Sequence, residues 1–221
     1  MANAAQWRIR TWFPDLDERA CERLRIFQLE LIRVHQIISL ISANTSEFAD
    51  RLHFADSILG CRLILPQILK EKEIWDLGSG GGFPGVIMAI LRPDLRVLCI
   101  DTDEKKTEFI KNTAKRLELD NLTARKSRVE DIEKGSISCA MERGLGSVER
   151  NLGFGTEPFS LNCLFFHFKG LEWEKEILIQ PKVISTWNIS VLGHYNLPTG
   201  DETPKYQAPD VKTIVLTKKI K

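Results

Sequence analysis

An acid followed by a cluster of glycines is the part of this chain best suited to chemistry: Asp76-Leu77-Gly78-Ser79-Gly80-Gly81-Gly82-Phe83-Pro84-Gly85. Glycine takes positive φ without steric cost and lets a ligand approach backbone N–H groups closely. The apolar pair Ile74-Trp75 leads into the loop, and the wholly apolar segment Val86 to Leu91 leaves it. That order reads as strand, loop, buried helix. A helix start offers free N–H donors and the positive end of a dipole to a ligand, and Pro84 suits its first turn. Asp76, Gly78, Ser79, Gly80 and Gly82 are therefore candidates for holding a nucleotide-like cofactor.

Two cofactors compete for this loop. Gly80-x-Gly82-x-x-Gly85 fits the dinucleotide fingerprint, with Asp101 near the place of its ribose-binding acid. Asp76-x-Gly78-x-Gly80-x-Gly82 instead puts a carboxylate ahead of the glycines, where it would repel a pyrophosphate and attract a cation. S-adenosylmethionine carries an ammonium and a sulfonium there and no phosphate, so it is favoured over NAD. Asp101, at the end of the next strand, can accept hydrogen bonds from both ribose hydroxyls; the plain alternative is a strand terminator and helix cap. Ser127 to Asp131 follows a third strand and would meet the adenine edge. Lys105 and Lys106 read as a solvated helix start. His53, Asp56 and Ser57 have the residue types of a hydrolytic triad, but sharing one helix face prevents a nucleophile elbow. Packing of that helix against the cofactor domain is expected instead.

The elements that must position these residues follow from periodicity. Ala20, Leu24, Phe27, Leu31, Val34, Ile38 and Ile41 recur at three- and four-residue spacing and predict a helix from Asp15 to Ile41. A second helical pattern covers Glu47 to Leu63. Beyond the loop, strands are expected at 96–100, 121–126, 137–141 and 161–168, with a helix over Glu104 to Leu117. Lys182 to Val191 and Val211 to Leu216 would close the sheet as a pair, joined by a Pro/Gly-rich turn at Leu197 to Pro209. The prediction is an α/β fold: a mostly parallel seven-stranded sheet with helices on both faces. Residues 1–70 form a helical N-terminal extension and residues 71–221 the cofactor domain.

Composition bounds the rest. The chain has 221 residues, 43% apolar and 28% charged, with a formal net charge of +1, which fits a soluble enzyme. No apolar run reaches the ~20 residues needed to cross a bilayer, and Met1 to Arg10 lacks the core of a signal peptide. The five cysteines are scattered and unpaired, as expected of free thiols in a reducing compartment. A cytoplasmic monomer without metal is the expectation.

With these residues placed, the sequence resembles the bacterial RsmG (GidB) family, the 16S rRNA 7-methylguanosine methyltransferases. The resemblance runs through Asp76 to Gly85, Arg92 to Leu95, Asp101, Lys105-Lys106 with Phe109, Ser127 to Glu130, Arg143 and Lys169-Gly170. His53-x-x-Asp56-Ser57 also matches the family's helical motif. It covers roughly residues 25 to 175, and Gly82-Phe83-Pro84-Gly85 is its most specific part. It implies a class I, Rossmann-like methyltransferase fold, S-adenosylmethionine as cofactor, and guanine N7 of 16S rRNA in the small ribosomal subunit as substrate. By position, Gly78, Phe83, the backbone at Val129 and Glu130, and Arg143 would contact the cofactor, Arg143 also orienting the reaction. Methylation of N7 needs no general base, because its lone pair is free. A methyltransferase for a small molecule or protein, or a non-catalytic S-adenosylmethionine-binding assembly factor, are the alternatives. Two departures stand out. Glu142-Arg143-Gly144 replaces the usual Ser-Arg-Ala, so an acid beside Arg143 would weaken the positive potential offered to RNA. The Arg-His pair usual before the last strand is also missing.

Overall fold

The computed structural model describes residues 5–153, 157–176, 185–199 and 211–221. Five strands, β1 (Glu73–Leu77), β2 (Arg96–Asp101), β3 (Leu122–Lys126), β4 (Ile137–Arg143) and β5 (Phe159–Lys169), pair in parallel. A hairpin of β6 (Trp187–Asn196) and β7 (Val211–Lys219) completes one sheet in the order β3-β2-β1-β4-β5-β7-β6. β7 lies between β5 and β6 and runs antiparallel to both. The inner strands β1 and β4 are buried on both faces, which is why they read as apolar runs instead of alternating ones.

Most helices cover one face. They are α1 (Ile9–Trp12), α2 (Glu18–His35), α3 (Asp56–Ile64), α4 (Gly85–Leu91) and α5 (Glu104–Arg116); α6 (Val148–Leu152) belongs to the other face. Leu24, Phe27, Phe54 and Ile58 of the N-terminal segment share one core with Ile74, Val97 and Phe166 of the sheet. Trp75, Val148, Phe159, Phe165, Trp173 and Trp187 pack on the opposite side. The N-terminal helices therefore form part of the wall against which the sheet folds.

Three elements differ most from their predicted limits. α2 begins at Glu18, just inside the predicted start, with Asp17 accepting the Ala20 N–H at 2.8 Å, but it ends at His35. There the N–H groups of Ile37 and Ile38 both turn onto the Val34 carbonyl, and the Leu40 N–H donates to His35 Nδ1. Ile38 and Ile41 still reach the core, from a turn; spacing alone does not distinguish the two. The second predicted helix opens as a π-helical turn, Asp50–Ala55, and runs into α3. Arg8 ties down that wide turn through Asp50. β6 extends to Asn196, five residues past its predicted end, by way of a register shift between Val191 and Gly193. The predicted start of that strand, residues 182–184, and the turn residues 200–210 lie outside the described residues.

All five cysteines are buried free thiols. Among the described residues no helix is long and apolar enough to cross a membrane.

Candidate functional site

β1 ends against the glycine loop, and hydrogen bonds to β2 set the loop's shape. The Gly78 and Ser79 N–H groups both donate to the Ile100 carbonyl, at 2.9 and 3.0 Å. The Ser79 hydroxyl donates to the Asp76 carbonyl at 2.8 Å, and the Gly82 N–H to the Ser79 carbonyl at 2.7 Å. At Gly82, φ is +91° and an added Cβ would stand 2.7 Å from Val86 Cγ2. Positive φ and close packing together admit only glycine there.

Gly78, Gly80, Asp101, Val129, Glu130 and Arg143 line one cavity of about 520 Å³ at the carboxyl ends of β1, β2 and β4. That is where open α/β sheets bind ligands. Asp101 Oδ2 accepts the Gly80 N–H and Oδ1 the Asp103 N–H, each at 2.9 Å. A carboxylate oxygen has a second lone pair, so both remain able to accept ribose hydroxyls. Lys106, read from sequence as solvated, lies on the cavity wall, although its backbone N–H helps to start α5 by donating to Asp103.

Four of the predicted contact residues are not part of that wall. Ser79 is buried within the loop, and Gly82 packs against Val86. Phe83 sits in the core, its ring centroid 5.0 Å from those of Phe27 and Phe54 and 5.4 Å from that of His53. Arg143 Cζ stands 5.1 Å from its centroid. Phe83 therefore supports Arg143 from beneath; a large flat apolar ring is held where the N-terminal helices meet the loop.

Asp76 lies behind the loop, wholly buried, with Oδ2 accepting the Gly85 N–H at 2.9 Å. Its Oδ1 has no hydrogen-bond partner among the described residues. Burial pushes the carboxyl up to about 7, and bonding from the loop and the Arg143 charge offset only part of that. An orphaned carboxylate oxygen beneath a glycine loop fits a cofactor that brings positive charge, and it disfavours a pyrophosphate.

Arg143 closes β4 and gathers the N-terminal segment around it. Its Nη1 donates to the Leu52 carbonyl at 3.1 Å and to Asp56 Oδ2 at 3.0 Å, while Nη2 lies 2.9 Å from His53 Nδ1. A guanidinium only donates, so His53 Nδ1 accepts and Nε2 carries the proton. That proton goes to Thr45 Oγ1 at 2.8 Å, whose own hydroxyl donates to the Ser42 carbonyl at 2.7 Å. Burial, then the Arg143 charge, holds His53 well below its ordinary value, so it is neutral. Asp56 Oδ1 accepts the Tyr195 hydroxyl at 2.8 Å. Burial and the Asp56 charge raise the Tyr195 pKa, which keeps the phenol protonated.

A second cavity, of about 320 Å³, shares Arg143 and Gly144 with the first. Its wall includes Leu52, His53, Asp56, Phe168, Tyr195 and Lys212. Sequence reasoning missed Tyr195 and Lys212, which lie on the β6–β7 hairpin. No local spacing pattern marks either residue; the β6–β7 pairing brings them together.

Glu142 does not act on Arg143 as the sequence implied. Adjacent residues of a strand face opposite sides, and Glu142 is wholly buried on the side away from Arg143's partners. Its Oε1 is 3.1 Å from both His167 Nδ1 and Lys169 Nζ, and its Oε2 accepts the Leu145 N–H. Burial opposes its charge, but His167 and Lys169 outweigh that and the Glu142 pKa falls below its ordinary value. Burial lowers the His167 pKa, so a neutral His167 donates Nδ1–H to the carboxylate. Lys169 also holds the Gly146 carbonyl and Glu176. The acid is neutralised internally and fixes the loop after β4.

The sheet order, the antiparallel β7 and a glycine loop at the end of β1 define a class I methyltransferase fold. Solved structures agree. The tRNA (m1A58) methyltransferase TrmI from Aquifex aeolicus gives a TM-score of 0.55 at 12% identity, covering 88% of this chain and 76% of that one. Precorrin-6y C5,15-methyltransferase from Geobacter metallireducens GS-15 gives 0.53 at 13% identity, covering 82% and 92%. The chain belongs to the GidB family, described as rRNA small subunit methyltransferase G, whose model matches residues 20–200. Ribosomal RNA small subunit methyltransferase G 3 of Bdellovibrio bacteriovorus is 38% identical over 195 residues, 88% of each chain. Ribosomal RNA small subunit methyltransferase G of Paracoccus denitrificans is 29% identical over 185 residues, 83% of this chain and 92% of that protein.

Proposed function

We propose that this chain methylates N7 of a guanine in the 16S rRNA of the small ribosomal subunit, with S-adenosylmethionine as methyl donor. The observation that carries the reading is the pair of cavities meeting at Arg143 and Gly144, one for the donor and one beside it for the acceptor. Gly78, Gly80, Asp101, Val129 and Glu130 would hold the cofactor, with Asp76 supplying negative charge from behind the loop. When bound, S-adenosylmethionine supplies a methyl group made electrophilic by its sulfonium. Arg143, fixed by Leu52, His53 and Asp56, shapes the shared wall between donor and acceptor.

The acid–base inventory fits N7. Both nitrogens of His53 are engaged and the ring is neutral, and both Asp56 oxygens accept hydrogen bonds. Neither is placed to take a proton from an acceptor, and N7 has none to give. Holding the base at near-attack distance then provides the rate. The same reading makes the protein a cytoplasmic monomer, with ribosomal RNA as its partner.

Nucleoside mass spectrometry of 16S rRNA from a strain deleted for this protein tests the proposal. Loss of one 7-methylguanosine, restored by the wild-type gene, is expected. An unchanged 7-methylguanosine content defeats it. S-adenosylhomocysteine binding without any missing rRNA methylation would leave a methyltransferase for a small molecule or protein, or a cofactor-binding assembly factor, instead.

A further inference from the structure

The second cavity has a wall whose hydrogen-bonding capacity is nearly spent. Both His53 nitrogens are occupied, by Arg143 and Thr45. Both Asp56 oxygens are occupied, by Arg143 and Tyr195. The Lys169 ammonium, with three protons to donate, faces Glu142, Glu176 and the Gly146 carbonyl. Lys212 is different. It is half-buried on the cavity wall, and among the described residues no hydrogen bond or ion pair engages its ammonium. It stands directly across the β6–β7 ladder from Tyr195, so its strand position is fixed by the same hairpin that closes the Asp56 network.

Resting on the methyl-transfer reading above, we propose that this cavity takes the target base itself and that Lys212 donates to O6 of guanine. At about 320 Å³ the cavity is at the small end of ligand sites, the size for a single base without its sugar and phosphate. Leu52 and Phe168 give it apolar faces. Guanine presents two acceptors side by side on one edge, N7 and O6, whereas adenine presents an acceptor and an amino donor. An ammonium only donates, so it rewards O6 and opposes the adenine amino group. With O6 on Lys212, the adjoining N7 turns toward Arg143 and Gly144, the wall shared with the cofactor cavity. The rim cations Lys106, Arg128 and Arg150 lie on the cofactor side and would meet the RNA backbone instead.

Two measurements test the assignment. In the first, methyl transfer to unmodified small ribosomal subunits is compared for wild type, Lys212→Met and Lys212→Arg. Loss of a charge-assisted hydrogen bond predicts a fall of about 10- to 100-fold in kcat/KM for Lys212→Met. Lys212→Arg is expected to recover part of it, and S-adenosylhomocysteine affinity to stay within about twofold for both. A wild-type rate in Lys212→Met, or a parallel loss of S-adenosylhomocysteine affinity, overturns the proposal. In the second, short RNA containing 6-thioguanosine is irradiated on the S-adenosylhomocysteine complex and the adduct is mapped. The sulfur replaces O6, so an adduct at Lys212 is expected. An adduct at Lys106, Arg128 or Arg150, or none, overturns the proposal. If wild type modifies no ribosomal RNA yet still forms the Lys212 adduct, the rRNA assignment fails and the base pocket stands.

Discussion

Replacing Asp76 by asparagine is expected to abolish a pH dependence of cofactor affinity that the wild-type protein should show. Asp76 is wholly buried and titrates at about 7, raised mainly by burial. A cofactor carrying positive charge near it favours the ionised form, so binding near neutral pH is coupled to release of a proton. With a pKa of about 7, roughly 1 molecule in 11 is ionised at pH 6 and about 10 in 11 at pH 8, so affinity should fall about tenfold between pH 8 and pH 6. Isothermal titration of S-adenosylhomocysteine, repeated in buffers of different ionisation enthalpy, measures both the affinity and the protons released. The Asp76→Asn variant should bind more weakly at pH 8 and show a flat profile. A flat wild-type profile with no proton release would refute the reasoning. The same carboxyl also sets the sign of a stability change in the cofactor-free protein. Its pKa is about 7 folded against 3.8 ordinarily, so the folded state binds more protons between those values. The contribution of Asp76 to stability should therefore fall by about 4 kcal/mol as pH rises from about 4 to 7, then level off. His53 and His167, whose pKa values are lowered in the fold, push the other way over part of this range, so the fall is read as the difference between urea titrations of wild type and Asp76→Asn.

Two further outcomes follow from the site. Asp101→Ala removes the acceptors for the Gly80 and Asp103 N–H groups together with the proposed ribose contacts. S-adenosylhomocysteine should then bind about tenfold more weakly or worse by titration calorimetry, and unchanged affinity would remove the ribose role. Lys169→Met leaves the buried Glu142 without its ammonium partner, which should cost about 3 to 5 kcal/mol in urea unfolding. A loss under about 1 kcal/mol would show that His167 alone suffices for Glu142.

The sequence exposed the parts of this molecule whose causes are local. Asp76 to Gly85 could be read as a ligand loop because glycine spacing and a preceding acid have direct backbone and electrostatic meaning. Most strands of the parallel half were visible as short apolar runs for a similar reason; β3, with Thr123, Arg125 and Lys126, is the exception. What stayed hidden depends on the third dimension. Asp56 and Arg143 are 87 positions apart, and Tyr195 is 139 positions from Asp56, so no spacing rule brings them together. Glu142 was misjudged as Arg143's neighbour because chain adjacency was taken for spatial adjacency. Strand alternation was sufficient to separate them. Phe83 and Ser79 belong to a binding motif, yet they serve it from within the core; a motif marks a unit and does not say which members touch the ligand.

The placement of β7 between β5 and β6 has a consequence for how the site is assembled. β6 reaches the sheet only through β7, so within the sheet the hairpin is joined to the five parallel strands by the β5–β7 ladder. The wall of the cofactor cavity comes entirely from residues 78–150, whereas the second cavity waits for Tyr195 and Lys212. A nascent or partly unfolded chain with an undocked hairpin would retain the donor half of its chemistry while lacking a place to receive a base. The donor side thus rests on the parallel half of the sheet and the acceptor side on the antiparallel hairpin.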